Sequence, residues 1–327
     1  MNLSALKDQP RLLLKAALKP IQGTRFQPTG FPDLGAATYD GPDGKKMLLV
    51  ESAQSMANRF EAVCWDTVTD DWVTPLKGLP VVKVKDKSGK PLTNSVLEAH
   101  RLNSIYIKRA AAGKFHLQLA SEIQPEDNRP LQLQRVVTAL LKYDVNALVH
   151  GVFLETIDGR ARIPRALTAF IEAENVNIAA SGGVKNDRID PTGTMELSEP
   201  VKGVETKGDE GRQGNVPFHR DEYCGSVTAF FNLDLALIRG FGLGAEAEAM
   251  LIAVALFKIK RLLRDGLRLR TACDLEVVGE LTLQRPEGFT VPSLKELEDE
   301  KNGLPALIKK ASSGFAKPSA TDLTFEE

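Results

Sequence analysis

Two short stretches carry residue types that could do chemistry. Residues 239–245, Arg-Gly-Phe-Gly-Leu-Gly-Ala, match G-x-G-x-x-[GA] through Gly240, Gly242 and Ala245. Glycines at that spacing let backbone N–H groups approach a pyrophosphate at a helix N-terminus, as in a dinucleotide site. The stretch falls between an expected strand and an expected helix. Arg239 would then sit at the strand end, and only one further strand follows, too few to complete a doubly wound sheet. A tight strand-to-helix turn is therefore the plainer reading, and a nucleotide-dependent oxidoreductase using Gly240, Gly242 and Gly244 stays as an alternative. Residues 219–224, His-Arg-Asp-Glu-Tyr-Cys, hold metal-ligand types. No second His or Cys stands at ligand spacing, and His100, His116 and His150 are scattered, so no metal site is expected. The cysteines, Cys64, Cys224 and Cys273, form no C-x-x-C pair and read as small buried side chains rather than a disulfide framework. Nucleophile-elbow, zinc-protease and P-loop patterns are missing. Neither a catalytic residue nor a cofactor is expected.

Charge is more informative by position than by sum. Lys+Arg 42 against Asp+Glu 43 gives a net charge of -1, which argues against a small basic nucleic-acid module. Residues 1–30 nevertheless hold Lys7, Arg11, Lys15, Lys19 and Arg25 against Asp8 alone. Residues 258–270 hold Lys258, Lys260, Arg261, Arg264, Arg268 and Arg270 against Asp265. Basic stripes on a neutral protein suit a polyanion along one face, or else a solvated helix flank.

The elements that must position these groups follow from periodicity. Residues 11–18 and 47–50 read as strands, with Asp40-Gly-Pro-Asp-Gly44 as turn chemistry between them, so an early hairpin is expected. Ser52 caps a helix over 53–65, where Met56, Ala57, Phe60 and Val63 share a face. Residues 96–112 and 131–143 read as helical and 148–155 as a strand. Residues 182–215 differ from their surroundings, with seven glycines, two prolines, no aromatic and 12 charged side chains in 34 residues. Such a stretch buries little and should project from the core. A strand over 225–237, a helix over 245–263 and an alternating segment over 267–283 follow. Past Pro286 the chain turns acidic and polar and reads as a peripheral tail. The longest apolar run, residues 249–257, is too short to span a membrane, and residues 1–10 lack the apolar stretch of a secretory signal, so a cytoplasmic protein without a membrane partner is expected. The strand–helix–strand, strand–helix–strand order is the βαββαβ plan of an α+β ferredoxin-like fold with two long insertions.

Two stretches carry a resemblance. They are residues 19–35, Lys-Pro-Ile-Gln-Gly-Thr-Arg-Phe-Gln-Pro-Thr-Gly-Phe-Pro-Asp-Leu-Gly, and residues 48–62, Leu-Leu-Val-Glu-Ser-Ala-Gln-Ser-Met-Ala-Asn-Arg-Phe-Glu-Ala. Together they resemble the backbone subunit of type I CRISPR effector (Cascade) complexes of the I-U/I-G branch, in the RAMP superfamily, over about residues 10–280. Ser52-Ala-Gln54 with Asn58-Arg59 also resembles the superfamily's Ser-Ser-Gln…Lys-Arg helix start, with Ala53 and Asn58 departing from it. The resemblance implies a modified RRM-like palm over 1–285, with fingers at about 67–130 and a thumb at about 182–220, followed by the polar tail 286–327. It implies a structural, non-catalytic subunit whose copies polymerise head-to-tail along one CRISPR RNA. The partners it implies are that RNA, target DNA paired through the guide, and the other subunits of the complex. A RAMP-type endoribonuclease with His219 or His150 as general base is the first alternative.

The residues agree with this chemistry. A helix starting at Ser52 presents free N–H groups and a positive dipole end to a phosphate, with Gln54 and Ser55 as neutral donors, Asn58 beside them and Arg59 adding a charge, or else pairing with Glu61 or near the turn at Glu51. Gln22-Gly23-Thr-Arg25 offers close backbone approach and a guanidinium. Lys185 and Arg188 stand at the expected root of the thumb, facing RNA. Aromatics are only 6% and no RNP-like motif is present, so base stacking on an aromatic sheet is not the expected mode.

Overall fold

Strict alternation in the first strand sets the architecture. In β1 (Arg11–Pro20), Leu12, Leu14, Ala16 and Leu18 are buried, while Lys15, Ala17 and Lys19 are exposed on the other face. One side of the sheet must therefore be covered and the other left open. The computed structural model describes residues 2–31, 35–124, 130–157, 159–189, 191–192 and 215–326.

Six further strands join β1: β2 (Thr38–Asp40), β3 (Lys46–Glu51), β5 (Leu167–Lys185), β6 (Val216–Asp234), β7 (Arg268–Arg270) and β8 (Cys273–Arg285). Strand β4 (Val81–Lys85) lies in a separate sheet. The main sheet runs β7-β8-β1-β6-β5-β3-β2 with every pairing antiparallel. Its central quartet, β8-β1-β6-β5, is the 4-1-3-2 order of a ferredoxin-like fold. Helix α1 (Ala53–Ala62) lies in the first crossover. The second crossover holds two helices, labelled α3 (Leu235–Gly240) and α4 (Ala245–Asp265) because α2 (Val145–His150) precedes them. Met56 and Phe60 of α1 and twelve residues of α4 are buried, with Leu12, Phe231, Ala169 and Ile171 of the sheet in the same core. The fold is thus the expected α+β class, a modified RRM-like palm.

Several local expectations are corrected. Residues 11–18 and 47–50 do not form a hairpin: β1 pairs with β6 and β8, and β3 lies two strands beyond β6. The Asp40–Gly44 turn instead joins β2 to β3. Residues 148–150 close α2, and the strand starts at Val152. Residues 96–112 break into short helical turns, because Arg101, Ala111 and Ala112 adopt positive φ. The glycines at 240–244 lie between two helices, α3 and α4, rather than after a strand. Gly242 and Gly244 supply φ of 63° and 88° for that turn, and Arg239 reaches back to the carbonyl of Gln9 at 2.8 Å. The strand that a dinucleotide site requires is replaced by α3.

The chain past Pro286 is not peripheral. Leu297, helix α5 (Leu304–Ala311) and Phe315 bury apolar side chains in the core, and α5 packs on α4. Strand β9 (Ala320–Thr324) then pairs in parallel with β4. Averaged composition hides this, since a polar segment needs only a stripe such as Leu304, Ile308 and Ala311 to dock.

A sealed polar network fastens the first insertion to the palm. Arg101 Nε donates to Glu61 Oε1 at 2.7 Å, and Arg101 Nη1 donates to the Gly151 carbonyl at 3.1 Å. Asn146 Nδ2 donates to Glu61, Lys258 Nζ donates to Asn146 Oδ1 at 2.5 Å, and His150 Nε2 lies 3.1 Å from Lys258 Nζ. All five residues are buried. Burial raises the Glu61 carboxyl, an effect that Arg101 and Lys258 oppose, and it lowers Lys258 and His150. His150 is therefore a neutral interior side chain, out of reach of an RNA substrate.

Candidate nucleic-acid interface

The start of α1 is built by the last residues of β3. Ser52 leaves the strand in an extended conformation, and its Oγ accepts the Ser55 N–H at 3.3 Å. Helix geometry then leaves the Ala53 and Gln54 amides without an intrahelical acceptor, at the positive end of the dipole. Gln54 and Asn58 are exposed, and Ser55 is half-buried.

Arginines converge on this helix end. Glu51 is only 1% exposed and receives Arg270 Nη2, while Arg59 Nε stands 3.4 Å from its other oxygen. Arg59 Nη2 also donates to the Leu269 carbonyl at 2.7 Å. The Arg59 guanidinium, expected to reach a phosphate, is thus turned into the fold, because a carboxylate as deeply buried as Glu51 requires cations around it. Arg165 closes the other side: its Nη1 donates to the Ala53 carbonyl at 3.3 Å and its Nη2 to Gln54 Oε1. Both acceptors are neutral. Burial, then the charge of Arg101, pulls the Arg165 guanidinium below its usual range. Two guanidiniums therefore meet Glu51, while Arg165 lies against the helix start, with Glu61 as the carboxylate that acts on it.

The second predicted segment lies at the same end of the sheet. Arg270 Nη1 donates to the Gln27 carbonyl at 2.7 Å and to the Val50 carbonyl at 3.3 Å. The Thr29 amide reaches the Val50 carbonyl at 2.9 Å, and Phe26 bridges Tyr223 of β6. Gln22, Gly23 and Arg25 line an open cleft of about 500 Å³ with Glu222, Arg268 and Asp274. Gly23 needs its φ of 68° there, and Arg25, 56% exposed, stands 3.7 Å from Glu222.

Lys185 and Arg188 do not join this site. β5 and β6 continue past a bulge at 174–177 as a two-stranded arm, from Asn177 opposite Cys224 to Lys185 opposite Val216. Lys185 is 14 residues along the strand from Ile171, the residue opposite Glu51. At about 3.3 Å per residue that is on the order of 45 Å. Both side chains are exposed at the arm's outer end, not at its root. Most of the expected thumb beyond them, 193–214, lies outside the described residues.

The basic run 258–270 is likewise dispersed. Lys258 is sealed in the core, Arg261 and Arg264 face Asp265 and Glu298, and Arg270 serves Glu51. Sequence reasoning missed Arg165 as part of the site and offered Glu51 only as the alternative ion-pair partner of Arg59, the pairing that the structure shows. Glu51 directly precedes the cap and was findable as a charged residue ending an apolar strand. Arg165 had no local signal, since its partners are over a hundred residues away. Among the described residues no group of three or more His, Cys, Asp or Glu side chains could hold a metal, and His219 meets only Asp221, at 3.4 Å.

Residues 12–178, just over half of the chain, match a family model described as CRISPR-associated protein GSU0053. The chain belongs to that CRISPR-associated family. The match covers the loop 21–29, β3 and the start of α1, so the candidate site lies mostly within the family's region. A search of curated proteins finds no match. Among solved structures, a chain of a "CRISPR RNA-guided surveillance complex, pre-nicking" is 14% identical with a TM-score of 0.41, covering 82% of this chain and 76% of that one. A chain of a "CRISPR RNA-guided surveillance complex" is 11% identical with a TM-score of 0.34, covering 82% and 66%. Thermofilum pendens Csc2 is 9% identical with a TM-score of 0.30, covering 95% and 77%. These likenesses are too distant to bear on residues, and the fold rests on the strand order above. Among the described residues no helix is long and apolar enough to cross a membrane.

Proposed function

We propose that this protein is a non-catalytic, CRISPR-RNA-binding backbone subunit of a type I surveillance complex. In this reading copies polymerise head-to-tail along the guide and present its bases for pairing with target DNA, beside the other subunits of the complex. The domain plan that goes with it is a palm over 1–285, with fingers at 67–130 and a thumb at 182–220, now carrying the docked segment 286–326.

One observation carries the reading. Arg165 lies against the N-terminal end of α1 with only neutral acceptors, where helix dipole and guanidinium repel each other. That arrangement is unfavourable empty and becomes favourable when an anion sits between the free amides and the guanidinium. A phosphate of RNA supplies the anion without reading sequence, as a guide-holding subunit must, leaving the bases free to pair.

The test is fluorescence anisotropy with repeat-derived and scrambled single-stranded RNAs over a range of salt. Affinity should fall steeply with salt and differ little between the two RNAs. Salt-independent or sequence-selective binding would overturn the reading, and so would site-specific cleavage of the repeat RNA. Deleting 186–213 should spare folding and prevent ordered multimers on RNA; intact filaments would remove the self-assembly part.

A further inference from the structure

The open face of the sheet carries an aromatic pair that the site above does not use. Phe170 of β5 and Phe230 of β6 are directly opposed across the ladder, with ring centroids 5.2 Å apart and planes inclined by 26°. They point away from the helices, since their neighbours Ala169, Ile171, Ala229 and Phe231 are the buried ones. Phe170 is 37% exposed. The same cross-strand row continues through Lys15 of β1 to Thr282 of β8. The next row begins with Arg285 opposite Leu13. Lys15 and Arg285 are exposed, and neither has an ion-pair partner among the described residues.

The acids on this face lie outside that row, with Glu172 in the one adjacent to it. Glu172 accepts the Tyr39 hydroxyl at 2.7 Å, and Glu174 faces Lys45 at 3.1 Å. Glu276 and Asp234 are paired with Lys19 and Arg11. What remains among the described residues is a stacked aromatic pair with Lys15 in its own row and Arg285 in the next, both without an ion-pair partner.

We infer that this row is a stacking platform for a base of single-stranded RNA, with Lys15 and Arg285 on the adjacent phosphates. An apolar pair that served only the sheet would gain nothing from free cations beside it. A base offers both complements at once, a π-face for the rings and an anion for the cations. Composition argued against this mode because aromatics are scarce, yet two phenylalanines suffice once the hairpin sets them side by side. The platform rests on the RNA-binding reading above but lies on the face of the sheet opposite the helices, so the two contacts separate experimentally.

The experiment measures binding of a fluorescein-labelled, unstructured 20-nucleotide RNA to the full chain, with circular dichroism and a thermal melt for each variant. Phe170→Ala with Phe230→Ala should weaken binding by roughly fivefold to a hundredfold, the range for loss of a stacking aromatic, with an unchanged salt slope. Lys15→Ala should lower the magnitude of the salt slope by about one, and Phe170→Tyr with Phe230→Tyr should bind like the parent. Photo-crosslinking with 5-iodouridine RNA should mark the peptides holding Phe170 or Phe230. Unchanged affinity in the folded alanine variant, with crosslinks elsewhere, would overturn the platform and leave the functional reading standing. No RNA binding by the parent would remove both. A change in self-association without RNA, at constant RNA affinity, would mean that the face meets another copy and would also overturn the proposal.

Discussion

The two ends of α1 hold charged clusters of opposite design. At its C-terminal end Glu61, Arg101, Asn146, Lys258 and His150 bond one another away from water, leaving His150 Nδ1 without a partner among the described residues. At its N-terminal end Arg59 and Arg270 hold Glu51, and Arg165 lies against the Ala53 carbonyl and Gln54, beside the free amides of the first turn. The first arrangement is shut away from water and ties Arg101 and α2 to α1 and α4. The second stands at a solvent-facing helix end, where the proposed phosphate would complete it. Residue types alone do not separate the two, since both are carboxylate–arginine clusters; closure against water does.

The largest test of that contrast is Arg101→Ala. It leaves Glu61 buried without its guanidinium and should cost about 3–5 kcal/mol in a urea melt. RNA affinity per folded molecule should not change, and a parallel loss of affinity would break the comparison. Asp144 caps α2 beside the sealed cluster, and burial raises its pKa from 3.8 to about 7. A carboxyl raised on folding binds its proton more tightly in the folded state, so its contribution is present below about pH 4 and is lost as pH rises towards 7. The stability of the wild type relative to Asp144→Asn should therefore fall between pH 5 and pH 7, by on the order of 2 kcal/mol, in paired urea melts. His150, lowered by burial, acts in the opposite direction and cancels in that difference.

At the open end Arg165→Ala should weaken RNA binding by about five- to tenfold and lower the magnitude of the salt slope by roughly one, as removal of one phosphate contact does. Its melt should shift little, and a large destabilisation would assign Arg165 to the sealed class. Ser52→Ala removes the cap and should cost about 1 kcal/mol of stability. The smallest effect is expected from Lys185→Ala with Arg188→Ala, which should leave binding of a short RNA at the α1 start unchanged.

Local features were legible wherever short-range physics decides. The Ser52 cap, the helix behind it and the alternation of β1 follow from side-chain preferences within a few residues. Pairing was not legible: β1 joins β6 and β8, each more than 200 residues away, so the Asp40–Gly44 turn suggested a hairpin with the wrong partner. The structure sets Gln22 and Arg25 in a cleft at the same end of the sheet as the helix start, whereas Lys185 and Arg188 lie far from it. A strand of 19 residues carries its end far from its root, and glycines at 182 and 183 did not break it.

By itself, then, the sequence determined a βαββαβ chain, a capped helix ready for an anion, and two motif stretches pointing to a CRISPR-associated family. Tertiary structure alone decided which charges close and which stay open. It turned Arg59 inward, brought Arg165 to the helix end, drew the polar C-terminal segment into the core and set Phe170 against Phe230. The reason is that a charge acts through what surrounds it, and surroundings come from contacts between residues far apart in the chain.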